Sequence, residues 1–340
     1  MPLGDCLEKS PKTVKIKQSG YLSVGRYPII SQEEDFISGY TDDERALIHI
    51  PHPVVIFGDH TRVIKYIDFD FAIGADGVKI LAPATFLVPK YFYYVLHWLN
   101  IPSAGYSRHY KFLKEKSIPV PPREEQERIV RRLDLASEVV EKQKAELSEL
   151  DALASALFYA SFGDPVANPH HIKGENKSFE ECLNKSPKIK RKLKQSDYKE
   201  EGKYPVISQE QEFISGYTDN EEDVIRVEHP LVIFGDHTRH VKYVDFDFAV
   251  GADGVKLLDT KPFINPKFFY YLLKCINIPS AGYSRHYKFL KELTVFIPPL
   301  AEQEAFAKKV EAIEAEKARV RASLADSEAL LASLLRSSFP

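Results

Sequence analysis

From Ile129 onward the chain places Ile129, Leu133, Ala136, Val140, Gln143, Leu147, Leu150, Ala154 and Leu157 at alternating steps of four and three. That spacing is a heptad seam, the mark of a helix that lays one apolar stripe against another. A second seam runs through Phe306, Val310, Ile313, Lys317, Val320, Leu324, Ser327, Leu331 and Leu334. Neither run contains Gly or Pro, so each predicts one helix of about 38 residues, roughly 55–60 Å long at 1.5 Å per residue. Proline punctuation opens both: Ile118–Pro122 (IPVPP) and Ile297–Pro299 (IPP), followed by the acidic first turns Glu124-Glu125 and Glu302, as a helix N-terminus prefers. Helices this long cannot hide their seams alone and are expected to pair with each other. Separate helices lying on their own domains are the alternative. Gln143 and Lys317 interrupt the seams, and polar seam residues fix register at some cost in stability.

Ahead of each helix the texture changes to aromatic and β-branched runs, among them Pro53–Phe57, Val63–Ile67 and Val78–Leu81. GDH and the Asp-Gly pairs within Gly74–Gly77 and Gly251–Gly254 separate them as turns. GADG reads as a hairpin turn rather than a phosphate cradle, since it lacks the G-x-G-x-x-G spacing. Pro89–Leu99 and Pro266–Ile276 read as helices with Pro in the first turn.

These two textures occur twice. Ile101–Glu115 (IPSAGYSRHYKFLKE) returns unchanged as Ile278–Glu292, and Val55–Arg62 as Val232–Arg239, at an offset of 239 − 62 = 177. A period this long is a duplicated domain with its connector, not a solenoid repeat. The expected fold class is α+β: two pseudo-two-fold-related, mostly-β domains separated by a pair of long antiparallel coiled-coil helices. The expected boundaries are 1–122 and 164–299 for the domains, and 123–163 and 300–340 for the helices.

The 340 residues suffice for two cores. The start lacks the basic and apolar stretches of a secretory signal, and no apolar run is long enough to span a membrane. Cys6, Cys182 and Cys275 make no disulfide framework and no zinc cluster; Cys6 and Cys182, as repeat equivalents, are expected in cores. The expectation is a reduced, cytoplasmic protein without metal or cofactor. Enzyme motifs are wanting. There is no Walker A or dinucleotide fingerprint. Asn100-Ile101-Pro102-Ser103 is not an adenine-methyltransferase motif, and neither Asp76–Lys79 nor Glu201-Gly202-Lys203 makes a metal-nuclease pair.

Net charge is −3, yet the basic residues are clustered, which permits a local basic face. Candidate DNA contacts fall in two patches, each present twice. His60, Thr61 and Arg62, with Lys65 further along, follow a Gly-Asp turn; Arg, Thr and His can all bond base edges. Ser103, Tyr106, Ser107, Arg108, His109 and Lys111 mix hydroxyls and cations suited to phosphates. The copies are His237, Thr238, Arg239, Lys242, Ser280, Tyr283, Ser284, Arg285, His286 and Lys288. The run Lys188–Lys194, notably Lys190, Arg191 and Lys192, suits phosphate tracking. Each patch also has a structural reading: Asp59 neutralising Arg62 in a corner, tyrosines in the core, the basic run merely solvated. Between the copies Arg45/Glu222, Val63/His240 and His49/Arg226 differ, and would make two half-sites unequal if they faced DNA.

The order of these features resembles the specificity (S) subunit of type I restriction–modification systems. The likeness rests on Ile118–Gln126 (IPVPPREEQ), Ile297–Gln303 (IPPLAEQ), the FGDHTR words and the YFYYVL/FFYYLL helices, and covers essentially the whole chain. The resemblance implies two target-recognition domains on double-stranded DNA, an antiparallel helical spacer and no catalysis. It also implies docking of methyltransferase (M) subunits, two in number, and through them of restriction (R) subunits. Members usually carry dissimilar recognition domains; here the two are nearly the same, so the implied site is a bipartite near-palindrome. The family also contains half-length proteins that dimerise, and this chain looks like a fusion of that kind. A coiled-coil scaffold that joins proteins without touching DNA is the competing expectation.

Overall fold

The computed structural model describes residues 1–340 except 12, 13, 76, 104, 106, 167–172, 280–283 and 340. The chain divides into two compact units: residues 1–144 with 322–340, and residues 145–321.

In the first unit the strands are β1 (Lys15–Ile16), β2 (Tyr27–Ile30), β3 (Gly39–Thr41), β4 (Leu47–Ile48), β5 (Val54–Gly58), β6 (Ile64–Ile67), β7 (Phe71–Gly74) and β8 (Val78–Leu81). One mixed sheet runs β1-β7-β2-β3, with β4 also on β7; a second, antiparallel sheet runs β6-β5-β8. Helix α1 (Pro89–Leu99) covers β5 and β6, and α2 (Tyr110–Lys114) follows. Strand β5 is buried along its whole length, because both faces are covered. Val55 and Phe57 meet Tyr91, Phe92 and Val95 of α1 in one cluster, while Val54 and Ile56 join Ile30, Phe71 and Ile73 of the other sheet.

The second unit repeats this plan. Its strands are β9 (Glu175–Ser178), β10 (Tyr204–Ile207), β11 (Gly216–Thr218), β12 (Val224–Ile225), β13 (Leu231–Gly235), β14 (Val241–Val244), β15 (Phe248–Val250), β16 (Val255–Leu258) and β17 (Thr294–Ile297). They form sheets β11-β10-β15-β12, β14-β13-β16 and β17-β9. Helix α4 (Pro266–Cys275) packs on β13 and β14, and α5 (Tyr287–Lys291) follows. The GADG segments are not hairpin turns. Strands β7 and β8, like β15 and β16, lie in different sheets, so each GADG carries the chain from one sheet to the other. Cys6 and Cys182 are wholly buried, and all three cysteines are free.

The long helices are α3 (Arg123–Phe162) and α6 (Leu300–Ser338). Each unit holds the start of one and the end of the other. In the first unit Arg132 donates to Ser338 Oγ at 2.6 Å and Gln143 to Ser323 Oγ at 2.7 Å. In the second, Asp151 pairs with Lys317 at 2.9 Å and the Phe158 and Phe306 rings lie 5.5 Å apart. Within each unit the partner numbers fall as the α3 numbers rise, so the pairing is antiparallel. Gln126 and Gln303 explain the Glu-Gln words of the sequence. Gln126 is buried; it accepts from Val88 N at 2.8 Å and donates to Phe86 O and Pro121 O. Gln303 makes the same three bonds to Asn265 N, Phe263 O and Pro298 O. Each pins the first turn of a long helix to the loop that starts the shorter one.

Candidate nucleic-acid interface

The β5–β6 hairpin ends in the turn Asp59–Val63, closed by Arg62 N to Gly58 O and Gly58 N to Val63 O, both 2.8 Å. Arg62 lies at φ +65°, a conformation uncommon outside glycine. Its Nη1 donates to Ile101 O at 3.1 Å, which ties the hairpin to the 101–109 loop. Asp59, buried, holds the same loop: its carbonyl accepts from His109 N at 2.7 Å and its carboxylate from Tyr110 N at 2.8 Å. Its charge partner is Lys79 at 3.6 Å, not Arg62. A third loop joins through Gln32, whose carbonyl accepts from Thr61 Oγ1 at 2.6 Å and whose Oε1 accepts from His60 N at 3.1 Å. Gly77 sits against that amide. A Cβ there would come within 2.3 Å of Gln32 Oε1, and its φ of +71° also favours glycine.

The second unit reproduces the set. Arg239 lies at φ +63° and bonds Ile278 O at 3.0 Å. Asp236 accepts from His286 N at 2.7 Å and Tyr287 N at 2.8 Å, and pairs with Lys256 at 3.5 Å. Gln209 accepts from Thr238 Oγ1 at 2.5 Å and His237 N at 3.1 Å. Of the organising residues, the sequence singles out Asp59 only as a neutraliser of Arg62, and it does not single out Gln32 or Gln209. The signal was available for the aspartates only, in the Gly-Asp turn.

The candidate contacts separate by burial. Thr61, Ser103, Arg108, Lys111, Arg239, Arg285 and Lys288 are exposed; His60, Arg62, Ser107, His237, Thr238 and Ser284 are half-buried. Tyr106, Ser280 and Tyr283 lie outside the described residues. Four expectations need correction. Lys65 is 4% exposed, and its ammonium donates to the carbonyls of Ser31 (3.1 Å), Asp35 (2.5 Å) and Phe36 (3.5 Å). Lys242 does the same for Ser208, Glu212 and Phe213. Burial lowers the pKa of both, that of Lys242 to about 8. His109 and His286 are at most 1% exposed, each with Nδ1 near the aspartate carbonyl, at 3.1 and 3.0 Å. These four side chains are buried and shape the loops instead of facing a partner. In the basic run Lys190 and Lys192 are exposed, but Arg191 pairs with Asp197 at 2.8 Å and lies 3.9 Å from Asp223.

What results is a braced cluster of loops that presents hydroxyls and cations from backbone fixed by buried hydrogen bonds, and it is built twice. Among the described residues no group of His, Cys, Asp and Glu could hold a metal ion, and no helix is long and apolar enough to cross a membrane. Such a molecule is a tandem of one recognition-type module. The model of the type I restriction modification DNA specificity domain matches residues 1–151 and again 175–323. The chain belongs to that family. It is 29% identical over 167 residues to the specificity subunit of the type I restriction enzyme EcoR124I/EcoR124II of Escherichia coli, a match covering 44% of this chain and 40% of the relative. The chain thus matches less than half the length of that relative. Its fold is similar to the crystal structure of the type I restriction-modification system S subunit from M. genitalium: TM-score 0.56 at 17% identity, over 100% of this chain and 95% of the other.

Proposed function

We propose that this chain reads DNA sequence for a type I restriction–modification complex. Residues 1–122 and 164–299 each bind one half-site of a bipartite, near-palindromic duplex site; helices 123–163 and 300–340 space them. Two M subunits dock on the helices and adjoining flanks, and restriction subunits join through them. In this reading the chain works in the cytoplasm, binds no cofactor and leaves methyl transfer to its partners. The observation that carries it is the duplicated loop cluster: the same hydrogen bonds hold Thr61 and Arg62 beside the loop bearing Arg108 and Lys111 in one unit, and Thr238 and Arg239 beside that bearing Arg285 and Lys288 in the other. Arginine suits the acceptor pair of guanine, and hydroxyls and lysines suit phosphates. The contacts are assigned to His60, Thr61, Arg62, Ser103, Ser107, Arg108 and Lys111, their described copies, and Lys190 and Lys192 as phosphate-tracking residues.

Methylome sequencing of a host carrying this chain and its M subunit, against a host lacking this chain, tests the proposal. One new split, near-palindromic motif is the expected result. No motif, with the M subunit bound and active, would leave the scaffold reading. Binding of the assembled complex to such a site should also weaken steeply with salt through counterion release.

A further inference from the structure

The two loop clusters share their hydrogen bonds but not every side chain, and the polar differences are few. Across the loops at 29–38, 58–63, 74–79 and 99–115 the residue changes that alter polarity or charge are Glu34 to Gln211 and Val63 to His240. Asp35 to Glu212 keeps its charge, and the remaining changes exchange one aliphatic residue for another. Glu34 and Val63, far apart along the chain, line one groove in the first unit together with Thr61. Gln211 and His240 likewise share one groove in the second, where the other walls differ: Arg239 and, from the helices, Asp151, Lys274 and Lys317. Glu34, Gln211 and His240 are exposed and Val63 half-buried.

Several differences elsewhere are satisfied internally. Arg45 is held by Asp43 at 2.8 Å and His49 by Asp70 at 2.6 Å. Arg226 is held by Asp247 at 2.6 Å and by Glu221. Arg191 arrives with Asp197 and Asp223, where the first unit has Gly20 and Ala46. Among the described residues no ion pair holds Glu34, Gln211 or His240, and within the loop clusters these are the changes that leave a different polar group exposed.

We infer that Glu34 with Val63, and Gln211 with His240, are the specificity-determining residues that make the two half-sites differ, and that they differ at a single base pair. This rests on the DNA-reading function proposed above. A carboxylate only accepts, so Glu34 selects a base edge that donates, the N4 amino group of cytosine; Val63 beside it offers no competing polar group. Gln211 both donates and accepts, as the N6/N7 edge of adenine requires, and His240 adds a ring nitrogen toward the same groove. Arg62 and Arg239, identical in sequence and bonding, read the part the half-sites share.

Two reciprocal swaps test this in the full chain with its M subunit: Glu34→Gln with Val63→His, and Gln211→Glu with His240→Val. Each installs a pair that the other unit already carries on the same loop plan, so both variants should fold and assemble. The wild type should direct methylation to a split motif whose arms differ at one position. Each swap should produce a strict palindrome, the first doubling the second unit's arm and the second doubling the first unit's. The methylated fraction should shift at that position by about ten-fold or more. A wild-type motif already palindromic overturns the inference, and so does a motif unchanged by the swaps. Loss of methylation in both variants also overturns it, by assigning the pairs to assembly. A wild type that directs no motif at all is a separate result, and counts against the DNA-reading function itself.

Discussion

The two helix pairings have diverged where the loop clusters have not. Val140 and Lys317 are repeat equivalents, as are Gln143 and Val320. In the first unit Val140 is buried at 3% exposure and Gln143 supplies the polar seam residue, donating to Ser323. In the second, Val320 is the apolar partner and Lys317 is polar, buried to 2% exposure between Asp151 at 2.9 Å and Glu314 at 3.0 Å. Lys274 adds a second cation on Asp151 at 3.1 Å, and Tyr271 donates to Glu314. Each pairing therefore keeps one polar lock, one heptad step apart, neutral in one and ionic in the other. Polar seam residues set register and partner choice more than they add stability, so two different locks distinguish one pairing from the other in a chain whose halves are otherwise alike.

The largest effect is expected from Lys317→Val, which gives the second unit the residue the first unit has. Asp151 and Glu314 would lose a buried partner while keeping Lys274 and Tyr271, at a cost of about 3 kcal/mol, the low end for a broken buried pair because both carboxylates are partly exposed. Hydrogen exchange should quicken in 145–162 and 300–321 and stay unchanged in 123–140. Unchanged protection in the second unit would show that the cluster is not a lock. The converse, Val140→Lys, should destabilise the first unit, where Ser137 stands in place of Glu314. Adding Ser137→Glu should recover part of the loss.

The loop clusters predict equality instead. Asp59→Ala leaves Tyr110 N without its 2.8 Å acceptor and Lys79 without its carboxylate; Asp236→Ala does the same to Tyr287 N and Lys256. Each should cost about 2 kcal/mol, and the two costs should match within error in denaturant unfolding of the full chain. A clear inequality would mean that the clusters are less alike than their hydrogen bonds.

A smaller effect follows from the buried lysines. Burial holds Lys242 at about 8 against an ordinary 10.5, and shifts Lys65 in the same direction. Between those values the unfolded chain binds more protons at these lysines than the folded one, so they add stability as pH climbs from about 8. The buried thiols of Cys182 and Cys275, pushed up to about 11 from 9.0, oppose this above about 9, and a net rise is expected between about 8 and 9. Buried tyrosines such as Tyr91, pushed up to about 12, oppose the trend only above that window. Lys242→Met should flatten the rise in midpoint temperature. A slope that persists in Lys242→Met with Lys65→Met would exclude these lysines as its source.

The seams and the repeat were legible because both are local patterns: a heptad needs only the order of residues, and a duplication only self-comparison. Lys65 groups with the turn because it follows it within a few residues, a grouping that does not weigh which face of its strand it shares. Ile67, two residues on, is wholly buried, and residues two apart in a strand share a face; the pattern Ile-Lys-Tyr-Ile contained that warning. His109 lies one helical turn before the buried Leu113, and that spacing marked it as inward in the same way. The partners of Lys317 and of Asp59 were not legible. Asp151 is 166 residues from Lys317, and Tyr110 is 51 from Asp59. Only the tertiary pairing brings them together.

The smallest effect has the opposite sign. Gln143 donates its amide to Ser323 Oγ, but its own Oε1 is buried and finds no partner among the described residues. Val320 fills the same seam position in the second unit, so the heptad geometry accepts valine there. Gln143→Val removes an unsatisfied acceptor and leaves behind only the exposed Ser323, which water can satisfy. The first unit should gain about 1 kcal/mol, read as slower hydrogen exchange in 123–144. Stability would then rise while register becomes less defined, because the first pairing would lose its Gln143–Ser323 contact and keep the Arg132–Ser338 and Lys144–Glu328 contacts on its flanks, and the second, with Lys317 intact, would be unaffected. A loss of stability would mean that the amide contributes more through Ser323 than its buried oxygen costs.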